Sequence, residues 1–510
     1  MRSLVHAVLA QFGRRAPETL PVGLRQRLHL PVIDRALEEF HFPSHWESLG
    51  EARRRLAFQE LFEMQQRLAI RRARLAARRK PQRYRIEGPV TNGWRRGLPF
   101  QLTASQTRVL EELTGDLQRP APMLRLLQGD VGCGKTIVAA GLIAVAAQTG
   151  YQVAVMVPTE LLAEQHARVL RRQFEPLGVR VGLLAQGVPL AERKRVLAAV
   201  ADGATPILVG THALIERDVR FPRLALVIID EQHKFGVAQR STLIRKAEAA
   251  DVLVMTATPI PRTLALSLYG DLACSTIAEM PPGRRPVQTV WLPESGREQV
   301  YERIRGELRH GCQGYVVYPL VESSAVEERT ALKAAVQMAK RLKTEVFPDH
   351  PVELLHGRMP PKNKDAVMRA FADGHIRLLV STVIVEVGLD VPAATVMLIE
   401  HPERFGLAQL HQLRGRIGRG ADPAVCFILS DAVEELARQR LQAFVETTDG
   451  FRLAERDLEL RGPGELLGRS QSGWLRLRIA DLIQDRELVE LARKEAVDLI
   501  ARRPELAEAR

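Results

Sequence analysis

The sequence predicts an α/β protein in which two parallel-sheet domains follow one another, with a helical segment before them and a helical element after them. Three observations lead to this prediction: the chain length, a strand-and-helix alternation that occurs twice, and a phosphate-loop motif within the first occurrence. A chain of 510 residues is too long for one hydrophobic core, so two or three domains are expected. With 46% hydrophobic and 26% charged residues, the composition is that of a globular protein.

Basic residues are in excess. Lys and Arg number 73 against 60 Asp and Glu, which gives a net charge of +13 and favours a polyanionic partner. Charge alone does not distinguish DNA from RNA. The four cysteines form no CxxC pair, so neither a zinc site nor a disulfide framework is predicted and a reducing compartment is expected. No apolar stretch is long enough to span a membrane.

The N-terminal segment is predicted to be helical. Between 48 and 80, Ala57, Leu61, Met64 and Leu68 can share one face, while arginines occupy the others. Two interpretations stay open for these arginines: a solvated face of a packed helix, and direct contact with DNA.

Apolar runs then alternate with helical stretches, which is typical of parallel βαβ units. The first set of predicted strands is 123–128, 152–157, 207–209, 224–229 and 252–256; the second is 315–318, 352–355, 378–381, 395–399 and 425–429. The Pro- and Gly-rich segment 280–286 lies between the sets and suits an interdomain connector. After Asp431 the pattern indicates helices and loops.

Residues 129–136, Gly-Asp-Val-Gly-Cys-Gly-Lys-Thr, fit the phosphate-loop pattern GxxxxGK[ST] between a predicted strand and a predicted helix. Glycines let backbone N–H groups close around phosphate oxygens, and the helix N-terminus adds positive potential. Lys135 is expected to reach the β- and γ-phosphates and Thr136 to bind Mg²⁺. Because Cys133 lies beside a helix N-terminus, we predict a lowered thiol pKa. The candidate nucleotide-binding residues of the loop are Gly129, Gly132, Cys133, Gly134, Lys135 and Thr136.

Two further segments complete the predicted hydrolytic site. An aliphatic strand delivers Asp230 to hold Mg²⁺, and Glu231 beside it would orient and deprotonate the attacking water. In the segment 409–420, Gln412, Arg416 and Arg419 come from the second predicted domain, and arginines stabilise charge on a phosphoryl group in transfer. Hydrolysis would then be coupled to domain closure, although either arginine alone also fits a basic surface turn.

These motifs, in this order, resemble superfamily 2 helicases and, more closely, the RecG family of bacterial branched-DNA translocases. The similarity is carried by residues 129–136, 230–236, 255–264, 401–407, 444–451 and 460–465. It implies two tandem RecA-like P-loop domains, use of ATP and Mg²⁺, and a C-terminal helical-hairpin translocation element. The predicted boundaries are 1–85 for the helical linker region, 86–283 and 284–432 for the two helicase domains, and 433–510 for the hairpin and C-terminal helices.

The resemblance also implies roles for individual residues. Gln106 would read adenine, and Asp390 would contribute to the nucleotide site. Thr256 would couple hydrolysis to movement, although it also fits a strand cap. The remaining residues assigned to strand contact or coupling are Thr159, Thr211, His212, Thr258, Arg262, Thr382, Glu386, Gly388 and Arg461.

The sequence departs from the family pattern at three places. Position 133 is Cys where Ser is usual, position 383 is Val where a second Thr is usual, and the chain starts near where the family's linker begins. We therefore expect the N-terminal OB-fold wedge that splits branch points to be missing. Fork specificity is the property that this expectation affects most, with plain duplex and forks expected to stimulate ATP hydrolysis comparably.

The predicted function is that of an ATP-dependent double-stranded DNA translocase or helicase that remodels stalled forks and Holliday junctions in recombination and repair. We expect a cytoplasmic, nucleoid-associated bacterial monomer, with single-stranded DNA-binding protein as a candidate partner. Two alternatives are an RNA-directed helicase of the same superfamily and a nucleotide-gated DNA clamp without productive unwinding. The RecG-like tail argues against the first, and the presence of Lys135, Glu231 and Arg419 argues against the second.

Overall fold

The computed structural model describes residues 2–185, 187–231, 250–256, 272–319, 333, 335–382, 391–431, 434–461, 477–482 and 484–508. These residues form two compact units. One unit contains the N-terminal residues up to Arg78 together with the C-terminal residues from Arg461 onward. The other contains both β-sheets, between Arg79 and Leu460.

The N-terminal part consists of helices, as the sequence predicts. They are α1 (Arg2–Phe12), α2 (Val22–Arg27), α3 (Ile33–His41) and α4 (Trp46–Ala77). The long helix α4 covers the segment in which apolar residues and arginines were predicted to share a helix.

The first sheet carries the phosphate loop. Its strands are β1 (Leu124–Gly129), β2 (Gln152–Met156), β3 (Val181–Leu184), β4 (Ile207–Gly210), β5 (Leu224–Ile229), β6 (Asp251–Thr256) and β7 (Ala273–Ile277). In the described part of the chain they lie in the order β3-β4-β2-β5-β6-β1-β7, and all pairs are parallel. Its helices are α5 (Pro89–Arg96), α6 (Ala104–Gln118), α7 (Lys135–Gln148), α8 (Glu160–Phe174) and α9 (Leu190–Ala201).

The second sheet is also parallel. Its strands are β8 (Gln288–Leu292), β9 (Gln313–Val317), β10 (Val352–Leu355), β11 (Leu378–Ser381), β12 (Ala394–Glu400) and β13 (Val425–Leu429). They lie in the order β10-β11-β9-β12-β13-β8. Helices α10 (Arg297–Arg309), α11 (Pro361–Ala372) and α12 (Leu407–Arg414) connect its strands, and residues 335–341 are also helical. The chain passes from the first sheet to the second between β7 and β8, where the connector 280–286 was predicted.

Helices follow the second sheet, in agreement with the prediction for the tail. They are α13 (Glu435–Glu446), α14 (Gly450–Arg461), α15 (Arg486–Arg502) and α16 (Glu505–Glu508). In the unit formed by the two ends of the chain, Phe58 and Leu61 of α4 share an apolar core with Val489 and Ala492 of α15.

Several arginines of α4 hold this unit together. Arg53 forms a bidentate ion pair with Asp485, with N–O distances of 2.8 and 3.0 Å. Arg55 is fully buried and donates to the Pro31 carbonyl at 3.1 Å and to Gln59 Oε1 at 2.7 Å. Arg53 and Arg55 therefore serve packing, as the first of the two interpretations predicts. DNA contact by the exposed arginines of α4 stays a prediction.

Three strands were not predicted from the sequence, namely β3, β7 and β8. Each lies at an edge of its sheet. An edge strand has one neighbour instead of two, and in β7 and β8 the residues do not form the continuous apolar run of a central parallel strand. In β7, for example, Ala273 is exposed and Cys274 half-buried, whereas every residue of the central strand β5 is buried.

No helix among the described residues is both long enough and apolar enough to cross a lipid bilayer.

Candidate active site

The phosphate loop joins the end of β1 to the start of α7. Gly132 and Gly134 have φ values of +82° and +91°, in the left-handed region that side chains other than glycine rarely adopt. A Cβ atom at Gly134 would lie 2.3 Å from Gln106 Nε2. The glycines therefore allow the turn that directs backbone N–H groups and the α7 N-terminus toward one place, the arrangement that binds phosphate.

Lys135, at the start of α7, is bonded to the loop itself. Its Nζ donates to the carbonyl oxygens of Gly129 at 2.8 Å and Asp130 at 2.9 Å. A lysine ammonium has three donors, so Nζ keeps a donor for a phosphate oxygen beside these two carbonyls. Thr136 follows it and is half-buried at the first turn of α7.

Asp230 lies directly after β5, and its carboxylate is held by a histidine that sequence analysis missed. His166 Nε2 of α8 lies 3.2 Å from Asp230 Oδ2. Burial alone would raise the pKa of Asp230, but the hydrogen bond and charge of His166, the charge of Lys135 and the N–H of Glu231 together lower it. An ionised carboxylate therefore faces the phosphate-loop lysine.

Glu231 has an unusual backbone conformation. Its φ is +50°, one of three positive values at non-glycine residues among the described parts of the chain. Its N–H donates to Asp230 Oδ1 at 3.0 Å. Strained backbone of this kind is concentrated at functional sites, because the surrounding structure must hold it in place.

Gln106 contacts the phosphate loop directly. Its Oε1 accepts a hydrogen bond from the Thr103 N–H at 3.0 Å, and this bond caps the N-terminus of α6. Its Nε2 donates to the Cys133 carbonyl at 2.8 Å. The residue is only 2% exposed. Its side-chain amide thus links the loop to the cap of α6, and its role in reading adenine stays a prediction.

The prediction of a lowered pKa for Cys133 is wrong. Burial raises the pKa of its thiol, although the positive charge of Lys135 acts in the opposite direction. The residue is 1% exposed and belongs to the apolar core of the first sheet. The loop turns the Cys133 side chain inward, so the potential of the α7 N-terminus does not stabilise an accessible thiolate.

The arginine segment of the second sheet lies against the phosphate loop. A Cβ atom at Gly415 would lie 2.8 Å from the Cβ of Val131, so a glycine at this position permits the close approach. Arg416 is 5% exposed, whereas Arg419 and Gln412 are half-buried. Arg419 Nε donates to the Gly415 carbonyl at 3.2 Å. The structure therefore brings Gly415 against the loop, within the segment that carries Gln412, Arg416 and Arg419.

Residues assigned to strand contact or coupling lie near the carboxyl ends of strands. Thr159 caps α8, accepting from the Leu162 N–H at 3.4 Å, and His212 is exposed just after β4. Thr211 and Thr382 are each 2% exposed, and their hydroxyls have no hydrogen-bond partner within the described part of the chain. Thr256 ends β6 and is 3% exposed. In parallel sheets, ligands bind at this edge.

Some predicted site residues lie outside the described residues. They are Thr258, Arg262, Glu386, Gly388 and Asp390. Arg461 ends α14, but its side chain is also outside the description.

Three family models match the chain. They are the DEAD/DEAH box helicase model over residues 103–266, the helicase conserved C-terminal domain over 313–421, and the C-terminal part of domain 3 of ATP-dependent DNA helicase RecG over 447–509. The first two matches cover most of the two sheets, and the third covers α14, α15 and α16.

Curated relatives are similar over nearly the whole chain. ATP-dependent DNA helicase RecG of Synechocystis sp. is 45% identical over 99% of this chain and 60% of its own length. The protein of the same name from Bacillus subtilis is 44% identical over 98% of this chain and 73% of its own length. The chain thus spans less than two thirds of the length of some of these relatives.

A solved structure is also similar. It is described as RecG bound to a three-way DNA junction, and it has a TM-score of 0.79 and 42% sequence identity. The match covers 96% of this chain and 64% of that one. The two parallel sheets are therefore those of two RecA-like domains, with helices before and after them in the chain.

Proposed function

Because the chain belongs to the RecG family of ATP-dependent DNA helicases, we propose that it is an ATP-driven motor that translocates on double-stranded DNA and remodels stalled forks and Holliday junctions in recombination and repair. One observation supports this most directly. The phosphate loop of the first sheet packs at Val131 against Gly415, in the segment of the second sheet that also carries Arg416 and Arg419. A site built from two sheets can convert nucleotide turnover into relative movement of the sheets.

In this proposal the residues of the site have different tasks. Lys135 binds the β- and γ-phosphates, Glu231 orients and deprotonates the attacking water, and Arg419 stabilises charge on the phosphoryl group. Gln412 and Arg416 support Arg419 from α12 and the turn after it. Gln106 holds the loop that surrounds the phosphates and reads adenine.

The residues present fit a magnesium ion. The lowered pKa of Asp230 keeps its carboxylate ionised, and the hydroxyl of Thr136 follows the loop lysine, so both offer the oxygen ligands that Mg²⁺ prefers. When bound, the ion would supply positive charge that neutralises the phosphates during transfer.

The proposal extends to DNA contact and cellular context. We assign strand contact and coupling to Thr159, Thr211, His212, Thr256 and Thr382, and to the other positions named in the sequence analysis. Bacterial relatives and the junction-bound RecG structure support branched or duplex DNA as the substrate. We further propose a monomer that acts at the bacterial nucleoid in the cytoplasm, with single-stranded DNA-binding protein as a partner.

The test is ATP hydrolysis measured side by side without nucleic acid, with duplex DNA, with forked DNA and with RNA. We expect DNA to stimulate hydrolysis and RNA to stimulate it little. Lys135→Ala controls for contaminating ATPases. Stronger stimulation by RNA than by DNA would support the RNA helicase alternative, and tight DNA binding without turnover would support the clamp.

Regression of a labelled model fork then tests remodelling separately from hydrolysis. The chain is compared with a version that carries the family's wedge domain ahead of Met1. Regression by the chain as it stands supports the full proposal. Stimulated hydrolysis without regression limits the function of this chain to duplex translocation.

A further inference from the structure

Asp130 of the phosphate loop connects the loop to two helices, α12 within the second sheet domain and α14 after it. Its Oδ1 accepts a hydrogen bond from His411 Nε2 of α12. Its Oδ2 accepts from the Gly450 N–H, the first residue of α14, at 3.3 Å. The side chains of Asp130 and His411 are 13% and 5% exposed, so both bonds are shielded from water.

The phosphate chemistry alone gives no reason for an acidic side chain at this position. A carboxylate beside bound phosphates repels them, and the repulsion grows in a buried site. Burial alone would raise the pKa of Asp130, but His411 and the N–H groups of Val131 and Gly450 lower it, so the carboxylate is ionised at neutral pH. The carboxylate of Asp130 accepts hydrogen bonds from His411 of α12 and from the Gly450 N–H of α14.

Arg414 fixes the orientation of the histidine. Its Nη2 lies 3.2 Å from His411 Nδ1, and a guanidinium can only donate hydrogen bonds. His411 Nδ1 must therefore accept, and Nε2 carries the hydrogen that is donated to Asp130. The same guanidinium stacks on Phe444 at 4.5 Å and donates to the carbonyls of Phe444 at 2.8 Å and Thr447 at 2.9 Å.

These contacts form a continuous path from the phosphate loop to the turn between α13 and α14. One end of the path is sensitive to nucleotide, because the carbonyl of Asp130 also holds Lys135 Nζ at 2.9 Å. Nucleotide binding offers Lys135 Nζ a phosphate oxygen as a further partner, which draws the ammonium toward the phosphates. The other end is the turn at which α14 begins.

We propose that Asp130 is a positioning residue that links the movement of Lys135 on nucleotide binding to the start of α14, through His411 and Arg414. This inference rests on the proposed function, because it concerns how hydrolysis becomes movement along duplex DNA. It assigns a role to Asp130, His411 and Gly450, which the sequence motifs leave without one.

The test is a double-mutant cycle on the number of base pairs translocated per ATP hydrolysed, measured by triplex displacement together with phosphate release. Asp130→Ala and His411→Leu should each lower this ratio about tenfold, the factor expected from losing one charge-assisted hydrogen bond. The double variant should lose little more than either single variant, because both changes break the same contact. His411→Gln, whose amide can still donate to Asp130, should recover most of the ratio.

Asp449→Asn is the matched control. Asp449 lies in the turn at the end of the path, where its Oδ1 accepts from the Phe451 N–H at 2.8 Å, and it is half-exposed. Asparagine keeps this acceptor and removes only the charge. This variant should keep the translocation ratio of the parent. Binding of a fluorescent ATP analogue is measured for every variant. If Asp130→Ala fails to bind the analogue, the inference is tested by comparing the translocation ratios of His411→Leu and His411→Gln, because the phosphate-loop sequence is intact in both.

The outcomes separate the two proposals. A parent chain whose hydrolysis no DNA stimulates overturns the proposed function, and the inference with it. If DNA does stimulate hydrolysis by the parent chain, three results would overturn the inference alone. The losses of the two single variants could multiply in the double variant, or both single variants could keep the full ratio. The third result is that His411→Gln is as impaired as His411→Leu.

Discussion

At the scale of single residues, Lys135 and Glu231 are expected to separate binding from chemistry. Lys135→Ala removes the cation that contacts phosphates, so ATP affinity should fall. Glu231→Gln keeps the shape of the side chain but removes the base, so ATP should still bind while turnover falls at least about 100-fold. Nucleotide binding and steady-state hydrolysis are measured on the same preparations. Equal hydrolysis by Glu231→Gln and the parent would show that another group is the base.

Cys133 should be a poorly reactive thiol. It is buried and its pKa is raised, whereas Cys274 and Cys312 are half-buried. In the folded protein at pH 8, iodoacetamide should therefore label Cys133 at least about tenfold more slowly than those two, because the thiolate is the reacting species. Peptide mass spectrometry gives the rates. Labelling of Cys133 as fast as Cys274 would contradict its burial.

Some residues of the site could not be predicted because their contacts join parts of the chain that are far apart in sequence. The phosphate loop and the Asp230–Glu231 pair were predictable because each is a continuous motif between recognisable elements. His166 and His411 were missed because their partners Asp230 and Asp130 approach only in the folded chain. Cys133 was misjudged because the motif does not reveal which way the loop turns its side chain.

At the scale of elements, the turn after α12 should supply the arginine that assists hydrolysis. Arg419 is half-buried, whereas Arg416 is 5% exposed. Arg419→Ala should bind ATP and DNA but hydrolyse about 1,000-fold more slowly, the range found for arginine fingers. Arg419→Lys keeps the charge and loses the forked geometry, so it should recover only part of the rate. Normal stimulation of Arg419→Ala by DNA would make Arg416 the candidate.

The start of β6 is anchored by a buried ion pair. Lys80 Nζ lies 2.7 Å from Asp251 Oδ1 with both side chains fully buried, and Tyr84 donates to the same carboxylate at 2.7 Å. Lys80→Met leaves a buried carboxylate without its cation, which should lower the free energy of unfolding by about 3–5 kcal/mol. Urea denaturation measures the change.

The control for this prediction is an ion pair of the same sheet domain whose cation is exposed. Arg119 pairs with Asp116 at 3.0 Å, and its side chain is 71% exposed. Arg119→Met should change the free energy of unfolding by less than about 1 kcal/mol. Similar losses in the two variants would show that burial does not determine the strength of the Lys80–Asp251 pair.

Strand prediction succeeded for the central strands of the sheets. Central strands such as β2, β5 and β6 are buried along their whole length, so each appears in the sequence as an apolar run with polar residues only at its ends. The edge strands β7 and β8 contain Ser275, Thr276, Gln288 and Thr289 instead. Their pairing depends on a neighbouring strand that sequence patterns do not identify.

At the scale of the whole molecule, the net charge of +13 should dominate DNA affinity. Contacts to phosphates release counterions, so a protein with six or more such contacts loses about 10³-fold or more in affinity between about 50 and 200 mM salt. Fluorescence anisotropy with labelled duplex measures the slope. Lys135→Ala should keep the slope of the parent, since Lys135 serves the nucleotide. An affinity independent of salt would exclude phosphate contact as the main source of binding.

The packing of α4 against α15 also constrains how the protein is made. The apolar face of α4 leaves the ribosome early, and its partner on α15 follows after another four hundred or so residues. At the usual 5–20 residues per second this interval is roughly 20–80 s. During that time Phe58, Leu61 and Phe62 lack the part of their apolar core that α15 supplies. Nascent chains stalled before Arg486 should therefore be a preferred substrate for chaperones, and release of the C-terminus should end that dependence.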